Sequence, residues 1–290
     1  GSRLYSGSGD ETIREWSLSS GECVRRLEGH SEWVTSLVLS SDGSRLYSGS
    51  SDKTIREWSL SSGECVRRLE GHTKQVTSLV LSSDGSRLYS GSEDKTIREW
   101  SLSSGECVRR LEGHSSFVTS LVLSSDGSRL YSGSRDNTIR EWSVSSGECV
   151  RRLEGHSRGA TGLVLSFDGS RLYSASRDHT IYEWCLASGE CVRRLKGHSN
   201  LVTSLVLSSD GSRLFSGSWD KTIREWSLLS GECIGRLEID SRGLTSLVWF
   251  SDGRRLIVGF GKGGTSMIDW VSGKTFKKSR SRDNLPTFTI

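Results

Sequence analysis

The segment from Gly29 to Glu70 reads GHSEWVTSLVLSSDGSRLYSGSSDKTIREWSLSSGECVRRLE, and most of the chain consists of copies of it. The pattern returns every 42 residues, beginning again at Gly71, Gly113, Gly155 and Gly197. Self-similarity at a period of this size is typical of repeat architectures in which each unit is one supersecondary element. We therefore expect one repeated fold rather than several unrelated domains.

Each copy contains four short strand-like runs. In the copy quoted above they are residues 34–39, 45–50, 54–60 and 65–69, separated by segments rich in Ser, Asp and Gly. Such runs, joined by tight turns, predict an antiparallel meander of four strands. None of the runs has sustained helical spacing, so we expect essentially no helix.

A single four-stranded sheet of this size cannot bury both of its faces. A ring of such sheets can, because each sheet packs on the next and the only free inner edge is at the closure. The sequence therefore predicts an all-β protein, a β-propeller whose blades are four-stranded antiparallel sheets.

The chain supplies seven blades if its two ends share one. The first copy lacks a first strand, whereas residues 285–290 (LPTFTI) align with residues 34–39 (VTSLVL). We therefore predict a ring closed by a C-terminal innermost strand that pairs with the N-terminal three strands; the alternative for residues 277–290 is a solvated tail. The predicted blades of this single domain, residues 1–290, are 285–290 with 1–28, then 29–70, 71–112, 113–154, 155–196, 197–238 and 239–280.

The composition excludes several functional classes. The net charge of +4 is weak for 290 residues, so it does not argue for nucleic acid as the partner. No apolar run is long enough to span a membrane, and no basic and apolar leader of a signal peptide begins the chain.

The cysteines point to a reducing compartment. Six of the seven occupy one repeated position and fall in different predicted blades. The extra one, Cys185, lies across a short hairpin from Cys191 but off register for a disulfide. We therefore expect reduced thiols and a cytoplasmic location.

Five copies carry the same four polar or aromatic positions: Gly-His, then Ser-Gly-Ser or Ser-Ala-Ser, then Asp, then Trp. This pattern, in a unit of about 40 residues, resembles the WD40 repeat family over essentially the whole chain. The resemblance implies that the four side chains form a hydrogen-bonded structural tetrad inside each blade, in which a buried indole N–H finds an acceptor. The implied tetrads are His30, Ser48, Asp52 and Trp58; His72, Ser90, Asp94 and Trp100; His114, Ser132, Asp136 and Trp142; His156, Ser174, Asp178 and Trp184; and His198, Ser216, Asp220 and Trp226.

A His, Asp and Ser set also resembles a catalytic triad. Five near-identical copies at a fixed spacing favour a scaffolding role instead. No phosphate-binding loop, nucleophile elbow or metal-ligand spacing is present in the sequence. We therefore expect no enzymatic activity, no cofactor and no metal site.

Two positions depart from the family pattern. The repeated Trp is followed by Ser or Cys instead of Asp. It is also preceded by an acidic residue, and a carboxylate in a buried strand needs a partner. These acidic residues are Glu15, Glu57, Glu99, Glu141, Glu183 and Glu225, with Asp269 before Trp270 after a lengthened turn in the last copy.

The expected partners of these carboxylates are arginines on the fourth strand. If the third and fourth strands pair across residues 61–64, Leu60 faces Cys65 and Glu57 faces Arg68. We therefore predict a cross-strand Glu–Arg pair in six blades; the alternative is a solvated position. The predicted arginines are Arg26, Arg68, Arg110, Arg152, Arg194 and Arg236.

The first three full copies differ mainly at one end. Nine of their ten differences fall in the connection that enters the first strand or in the one between the second and third strands. In an up-and-down sheet these two connections open at the same end, so the sequence predicts a varied rim on one face of the ring. The positions expected to bind a partner on this rim are Glu32, Trp33, Ser51, Lys74, Gln75, Glu93, Phe117, Arg135, Arg158, Arg177, His179, Asn200, Leu201, Trp219 and Arg242.

Aromatic and Arg side chains of this kind are typical anchors of protein interfaces. They favour a non-catalytic scaffold that binds a protein or peptide, as a monomeric propeller without a membrane partner. High-identity copies that vary at a few rim positions also resemble the recognition domains of NACHT/WD40 receptors. The alternatives are neutral drift of tolerant loops, a structural or designed, consensus-like propeller without a ligand, and weak binding of an anionic ligand or nucleic acid through the rim arginines.

Overall fold

The structure, a computed structural model, describes residues 3–239, 243–249, 254–260, 265–270, 274–279 and 287–289. These residues form seven four-stranded antiparallel sheets, and no helix occurs among them. The all-β prediction and the seven blades are thereby confirmed.

The strands follow one another in a regular order. The first three blades contain β1 (Arg3–Gly7), β2 (Ile13–Ser17), β3 (Cys23–Leu27), β4 (Val34–Leu39), β5 (Arg45–Ser50), β6 (Ile55–Ser59), β7 (Cys65–Leu69), β8 (Val76–Leu81), β9 (Arg87–Ser92), β10 (Ile97–Ser101) and β11 (Cys107–Leu111). The next two contain β12 (Val118–Leu123), β13 (Arg129–Ser134), β14 (Thr138–Ser143), β15 (Cys149–Glu154), β16 (Ala160–Leu165), β17 (Arg171–Ser176), β18 (Ile181–Cys185) and β19 (Cys191–Leu195). The remaining strands are β20 (Val202–Leu207), β21 (Arg213–Ser218), β22 (Thr222–Ser227), β23 (Cys233–Glu238), β24 (Leu244–Trp249), β25 (Arg255–Phe260), β26 (Thr265–Asp269), β27 (Lys274–Ser279) and β28 (Thr287–Thr289).

The ring closes through the C-terminal strand, as predicted. β28 pairs antiparallel with β1, with Thr289 opposite Tyr5 and Thr287 opposite Gly7. β4 and β5 have the same register, with Val38 opposite Tyr47. β28 therefore takes the place of the first strand that the N-terminal blade lacks, between β4 and β24.

Turn chemistry explains why the strand limits were predictable. The structure shortens the expected third run by one residue at each end and leaves the other three runs of the quoted copy unchanged. Asp42 accepts hydrogen bonds from Ser40 and Ser44 in the first turn, and Gly43 and Gly63 adopt the left-handed conformation that glycine tolerates.

The core lies between neighbouring blades. Tyr47, Ile55 and Leu69 of the second blade pack against Val76, Leu88 and Trp100 of the third. Equivalent clusters recur around the ring. Burying one such side chain contributes roughly 1.5–3 kcal/mol, so each blade is stabilised chiefly by its two neighbours.

The pairing of the third and fourth strands corrects one prediction. A β-bulge follows Glu57, so Trp58 lies opposite Cys65 and Glu57 lies opposite Arg67. One extra residue on the fourth strand shifts the register there. Leu60 therefore does not face Cys65, and Arg68 forms an ion pair with the exposed Glu70 instead.

In five blades, the buried glutamate pairs with the arginine that immediately precedes the predicted one on the fourth strand. The predicted arginines were therefore wrong by one residue. Each glutamate also pairs with an arginine at the start of the second strand of its own blade, for example Glu57 with Arg45. The observed fourth-strand pairs are Glu15–Arg25, Glu57–Arg67, Glu99–Arg109, Glu141–Arg151 and Glu183–Arg193, with the atoms 3.4 to 3.5 Å apart.

The junction of the sixth and seventh blades differs. Gly235 stands opposite Glu225, where the first five blades have Arg. The indole Nε1 of Trp270, from the seventh blade, donates to Glu225 Oε2 at 2.7 Å. A Cβ on residue 235 would lie 2.7 Å from the same oxygen, so glycine makes room for this bond.

The last copy also corrects the sequence alignment. Leu256 lies opposite Ile268, as Leu46 lies opposite Trp58, so Ile268 and not Trp270 occupies the repeated Trp position. Asp269 therefore corresponds to Ser59 rather than to a buried glutamate, and it pairs with Arg254 at 2.7 Å. The spacing between β25 and β26 equals that between β5 and β6, so the turn before β26 is not lengthened and the predicted match of Trp270 to the repeated Trp was wrong by two residues.

Candidate functional site

Hydrogen bonds connect the four tetrad positions in five blades. In the second blade, Trp58 Nε1 donates to Ser48 Oγ at 2.8 Å, Ser48 Oγ lies 2.7 Å from His30 Nε2, and His30 Nδ1 lies 2.7 Å from Asp52 Oδ2. A neutral His that donates from Nδ1 and accepts from the Ser hydroxyl satisfies every member of this chain. The other four sets named from the sequence have the same connections.

The electrostatics of the tetrads favour this charge state. Burial raises the pKa of Asp52, but hydrogen bonds from His30 and Thr54 outweigh it and hold the pKa well below its usual range. Burial lowers the pKa of His198. The pKa of Asp220, the partner of His198, is also lowered, so an ionised Asp and a neutral His are the stable pair in the sixth blade.

The tetrad is closed to substrates. The Ser48 side chain is fully buried, and its oxygen already accepts the indole N–H and contacts His30. A nucleophilic Ser needs an exposed oxygen, so this arrangement supports a structural role.

The described residues of the first blade form part of the arrangement. Trp16 Nε1 donates to Ser6 Oγ at 2.8 Å. Asp10 is bonded to Thr12 and forms an ion pair with Arg14. The Asp10 carboxylate thus binds an arginine, whereas the carboxylates of the five tetrads bind a histidine.

The structure brings the two variable connections together. In each of five blades, a backbone N–H that follows the second strand donates to a carbonyl that precedes the first strand. The pairs are Ser51 with Trp33, Glu93 with Gln75, Arg135 with Phe117, Arg177 with Gly159, and Trp219 with Leu201, at 2.8 to 3.1 Å. The two loops of each of these blades therefore form one surface, which we call the rim.

Rim side chains differ in how far they reach into solvent. Trp33 and Trp219 are 43% and 51% exposed, which is high for such large apolar groups. The other exposed members are Glu32, Lys74, Arg135, Arg158, Arg177 and Asn200. The half-buried members are Ser51, Gln75, Glu93, Phe117, His179 and Leu201. Arg242 lies outside the described residues.

The rim backbone is held in a fixed shape. Ser50 Oγ bridges the two connections by donating to the Glu32 carbonyl and accepting from the Asp52 N–H. The residue after each Asp adopts left-handed φ angles between 66° and 73°, a conformation that non-glycine side chains rarely adopt. These residues are Glu11, Lys53, Lys95, Asn137, His179 and Lys221.

A central channel runs between the first strands of the blades. Its cavity of about 290 Å³ is lined mainly by Ser, Thr and Leu side chains. Ser36 Oγ accepts the N–H of Leu79 in the next blade, and the bond recurs at Ser78, Ser120 and Ser204. These hydroxyls therefore connect blades.

The opposite end of the ring carries two exposed apolar side chains that the rim prediction did not include. Phe167 is 65% exposed and Leu229 is 92% exposed. Phe167 packs beside Gly211 of the next blade. Comparison of the fifth and sixth copies with the earlier ones shows both, because Ser stands at each position in the second blade, at Ser41 and Ser61.

Two further findings concern the chemistry of the chain. All seven cysteines are free thiols. Within the described ranges no three His, Cys, Asp or Glu side chains are arranged to hold a metal ion, and no segment forms a helix that could cross a membrane.

Curated relatives match the chain over single repeats. A segment of 36 residues is 50% identical to an uncharacterised WD repeat-containing protein of Schizosaccharomyces pombe, covering 12% of this chain and 10% of the relative. A segment of 43 residues is 44% identical to the nuclear distribution protein PAC1 of Coccidioides posadasii, covering 15% and 9%. The same identity and length hold for PAC1 of Mycosarcoma maydis, covering 15% and 10%. The matched segments span about a tenth of each relative.

A family model matches far more of the chain. The model for the WD domain, G-beta repeat, matches residues 21–59, 63–101, 105–143, 147–185 and 189–227, which together exceed half of the chain. Each match runs from the outer strand of one blade through the first three strands of the next, as β3 to β6 do in the first match. The chain belongs to the WD40-repeat family.

Proposed function

We propose that this chain is a non-catalytic scaffold that binds a protein or peptide on the rim. The observation that carries the proposal is the contrast between the two parts of each blade. Strands, turns and tetrads are nearly identical from copy to copy, whereas the bonded loop pairs of the rim present different side chains. WD40 propellers are typically protein-interaction scaffolds.

Rigid presentation is the proposed mechanism. Because hydrogen bonds between Ser51 and Trp33, and between Trp219 and Leu201, already fix the loops, little backbone entropy is lost on binding. Exposed Trp side chains then serve as anchors, since large aromatic groups dominate the energy of many interfaces. The rim would thus select its partner by side chains alone.

The test is an affinity capture from extracts of the source cells, with bound proteins quantified by mass spectrometry. We expect Trp33→Ala with Trp219→Ala to lose specific partners that the unaltered protein retains. The matched control is Phe167→Ala with Leu229→Ala, which removes exposed apolar groups of similar reach from the opposite end. Equal partner profiles for the unaltered protein and the Trp variant would refute rim binding, and loss in the control alone would assign binding to the opposite end.

We also propose that the chain acts as one monomeric propeller in a reducing compartment such as the cytoplasm. The seven free thiols support this location, because exposed cysteines persist where glutathione keeps them reduced. Sedimentation equilibrium tests the monomer, and a dimer at micromolar concentration would contradict it.

A further inference from the structure

Four cationic side chains crowd one part of the rim, in the third, fourth and fifth blades. Lys74, Arg135, Arg158 and Arg177 are all exposed. The Arg135 guanidinium carbon lies 4.9 Å from the centre of the Phe117 ring, and Lys74 Nζ lies 5.6 Å from the same centre. An aromatic face attracts cations, so the ring holds two of these charges in place. We call these four side chains the cationic patch.

The backbone keeps two of these arginines close to one another. The Arg177 N–H donates to the Gly159 carbonyl at 3.0 Å. A Cβ on residue 159 would lie 2.8 Å from Arg135 Cα, so only glycine permits this approach. Loss of some hydration and the charge of Arg135 lower the pKa of Arg177, although its side chain is exposed. The two guanidinium groups therefore repel each other, and no carboxylate of the described residues forms an ion pair with either of them.

The patch contrasts with the other faces of the ring. Many arginines elsewhere have a carboxylate beside them, as Arg67 has Glu57 and Arg68 has Glu70. The third-strand arginines of the second, third, fourth and sixth blades, such as Arg56, form no such pair among the described residues, but their Nε atoms are buried and do not reach the rim surface. None of the four patch cations forms an ion pair with a carboxylate within the part of the chain that the structure describes. Clustered unpaired cations raise the local positive potential and favour an anionic ligand.

We propose that the cationic patch binds an acidic segment of a partner protein, a sequence with clustered Asp or Glu side chains. The proposal rests on the rim being the binding surface. Arginine binds carboxylate through two parallel hydrogen bonds, so several carboxylates on one peptide would satisfy the patch together. Exposed apolar rim groups on neighbouring blades, such as Trp219, would contact the flanking residues of that partner.

The charge distribution favours a peptide over nucleic acid. A nucleic-acid strand carries charge continuously along its length and needs an extended basic track. Here the rim also carries Glu93 in the third blade and Glu32 in the second, and the net charge of the chain is only +4. A short acidic segment fits this limited area, whereas a long polyanion would meet the glutamates.

The test is fluorescence anisotropy of a labelled oligoglutamate peptide with the full chain, repeated at several salt concentrations. We expect salt-dependent binding that weakens by at least about tenfold in Arg135→Gln with Arg177→Gln, since a tenfold change corresponds to one good charge-assisted contact. The matched control, Arg110→Gln with Arg152→Gln, removes equal charge from exposed pairs on the circumference. It should stay within about twofold of the unaltered protein, because such pairs are solvated.

Three results would overturn the proposal. The first is that the unaltered protein does not bind oligoglutamate. The second is an equal loss of oligoglutamate affinity in the two double variants, and the third is tighter binding of a single-stranded oligonucleotide through the same arginines. The Trp variant could lose partners in the capture experiment while the unaltered protein does not bind oligoglutamate. That result would support the rim as the binding surface and would refute only the proposal of an acidic ligand. Circular dichroism of each variant separates a binding defect from unfolding.

Discussion

Each tetrad Ser side chain bonds two groups that have no access to water. In the fourth blade, Trp142 donates to Ser132, and Ser132 contacts His114 at 2.7 Å. A buried polar group without a partner costs more than the bond was worth, since its hydration is also lost. The repeated Ser is thus required by the Trp and the His on either side of it.

Replacing Ser132 by Ala should therefore lower the free energy of unfolding by about 3 kcal/mol, because two buried groups lose their partner. Urea titration followed by tryptophan fluorescence measures the change. The matched control is Ser6→Ala in the first blade, where the hydroxyl bonds one group of the described residues, the half-buried Trp16 indole, and the cost should be about 1 kcal/mol. Equal losses in the two variants would show that the His bond adds nothing.

Acid should destabilise the ring in two stages. The pKa of His198 is lowered in the folded state, so its contribution is present above its unfolded value and falls as the pH drops below about 6.5. The pKa values of Asp52, Asp94 and Asp136 are lowered by their His and Thr partners, so their contribution is lost as the pH falls below about 4. Urea titrations from pH 8 to pH 3 should show a shallow decline followed by a steep one.

The Asp136→Asn variant tests the assignment of the second stage. Removing one of the carboxylates should make the steep part shallower without moving its midpoint much. A free energy of unfolding that stays constant down to pH 3 would contradict the charge states assigned to the tetrads.

The register of the fourth strand gives two consecutive arginines different partners. Two consecutive arginines repeat in this strand, and the bulge decides which of them lies opposite the buried glutamate. Arg109 pairs with Glu99 and also donates to the Val144 carbonyl of the next blade, at 2.8 Å. Within the described part of the chain, Arg110 forms its one ion pair with the exposed Glu112. Neighbouring residues of one type thus have different structural roles.

Arg109→Leu should cost about 2 kcal/mol of stability, because Glu99 would lose one of the two ion pairs that it forms among the described residues and the inter-blade bond would be lost. Arg110→Leu should change stability by no more than about 0.5 kcal/mol, since it removes an exposed ion pair. Thermal and urea unfolding of the two variants give the comparison. The opposite ranking would restore the register that the sequence alone suggested.

The strands also show which features the sequence predicted and which it did not. Strand bounds such as Val34–Leu39 were predictable because Ser, Asp and Gly turns mark them. The bulge at Glu57 was not, since it inserts no unusual residue and the hydrophobic pattern fits both registers. The repeated Trp position of the last copy was predicted at Trp270 because Trp recurs there in the other copies. The spacing from Arg255 indicates Ile268 instead. The position of the rim loops at one end was predictable because the strands alternate in direction. The exposed Phe167 was missed because the prediction compared the first three full copies, and Phe167 occurs in a later copy.

The whole molecule depends on one short strand for its closure. β28 pairs with β1 through Thr287 to Thr289 and lies between two first strands of other blades. Because each blade is stabilised mainly by its neighbours, an incomplete first blade weakens both junctions that it forms.

Deleting residues 285–290 should lower the melting temperature by more than about 5 °C, as expected for a loss of several kcal/mol in a domain of this size. Differential scanning calorimetry measures the shift. Deleting residues 1–2 instead is the control, because β1 begins at Arg3, and that variant should melt like the unaltered protein. An unchanged melt for the longer deletion would refute a role for β28 in closing the ring.

Near-identity of the blades has a consequence for assembly of the ring. A newly formed blade offers the same faces as several others, so it can dock on a partner that is not its neighbour in the chain, and such misassembly is a known hazard of repeat proteins. The bond between Trp270 and Glu225 beside Gly235, together with the stacking of Phe215 on Trp249 at 4.3 Å, gives the junction of the sixth and seventh blades contacts that the junctions between the second and sixth blades do not have. We therefore expect the irregular last copy to limit such misassembly, because its contacts fit one neighbour better than the others.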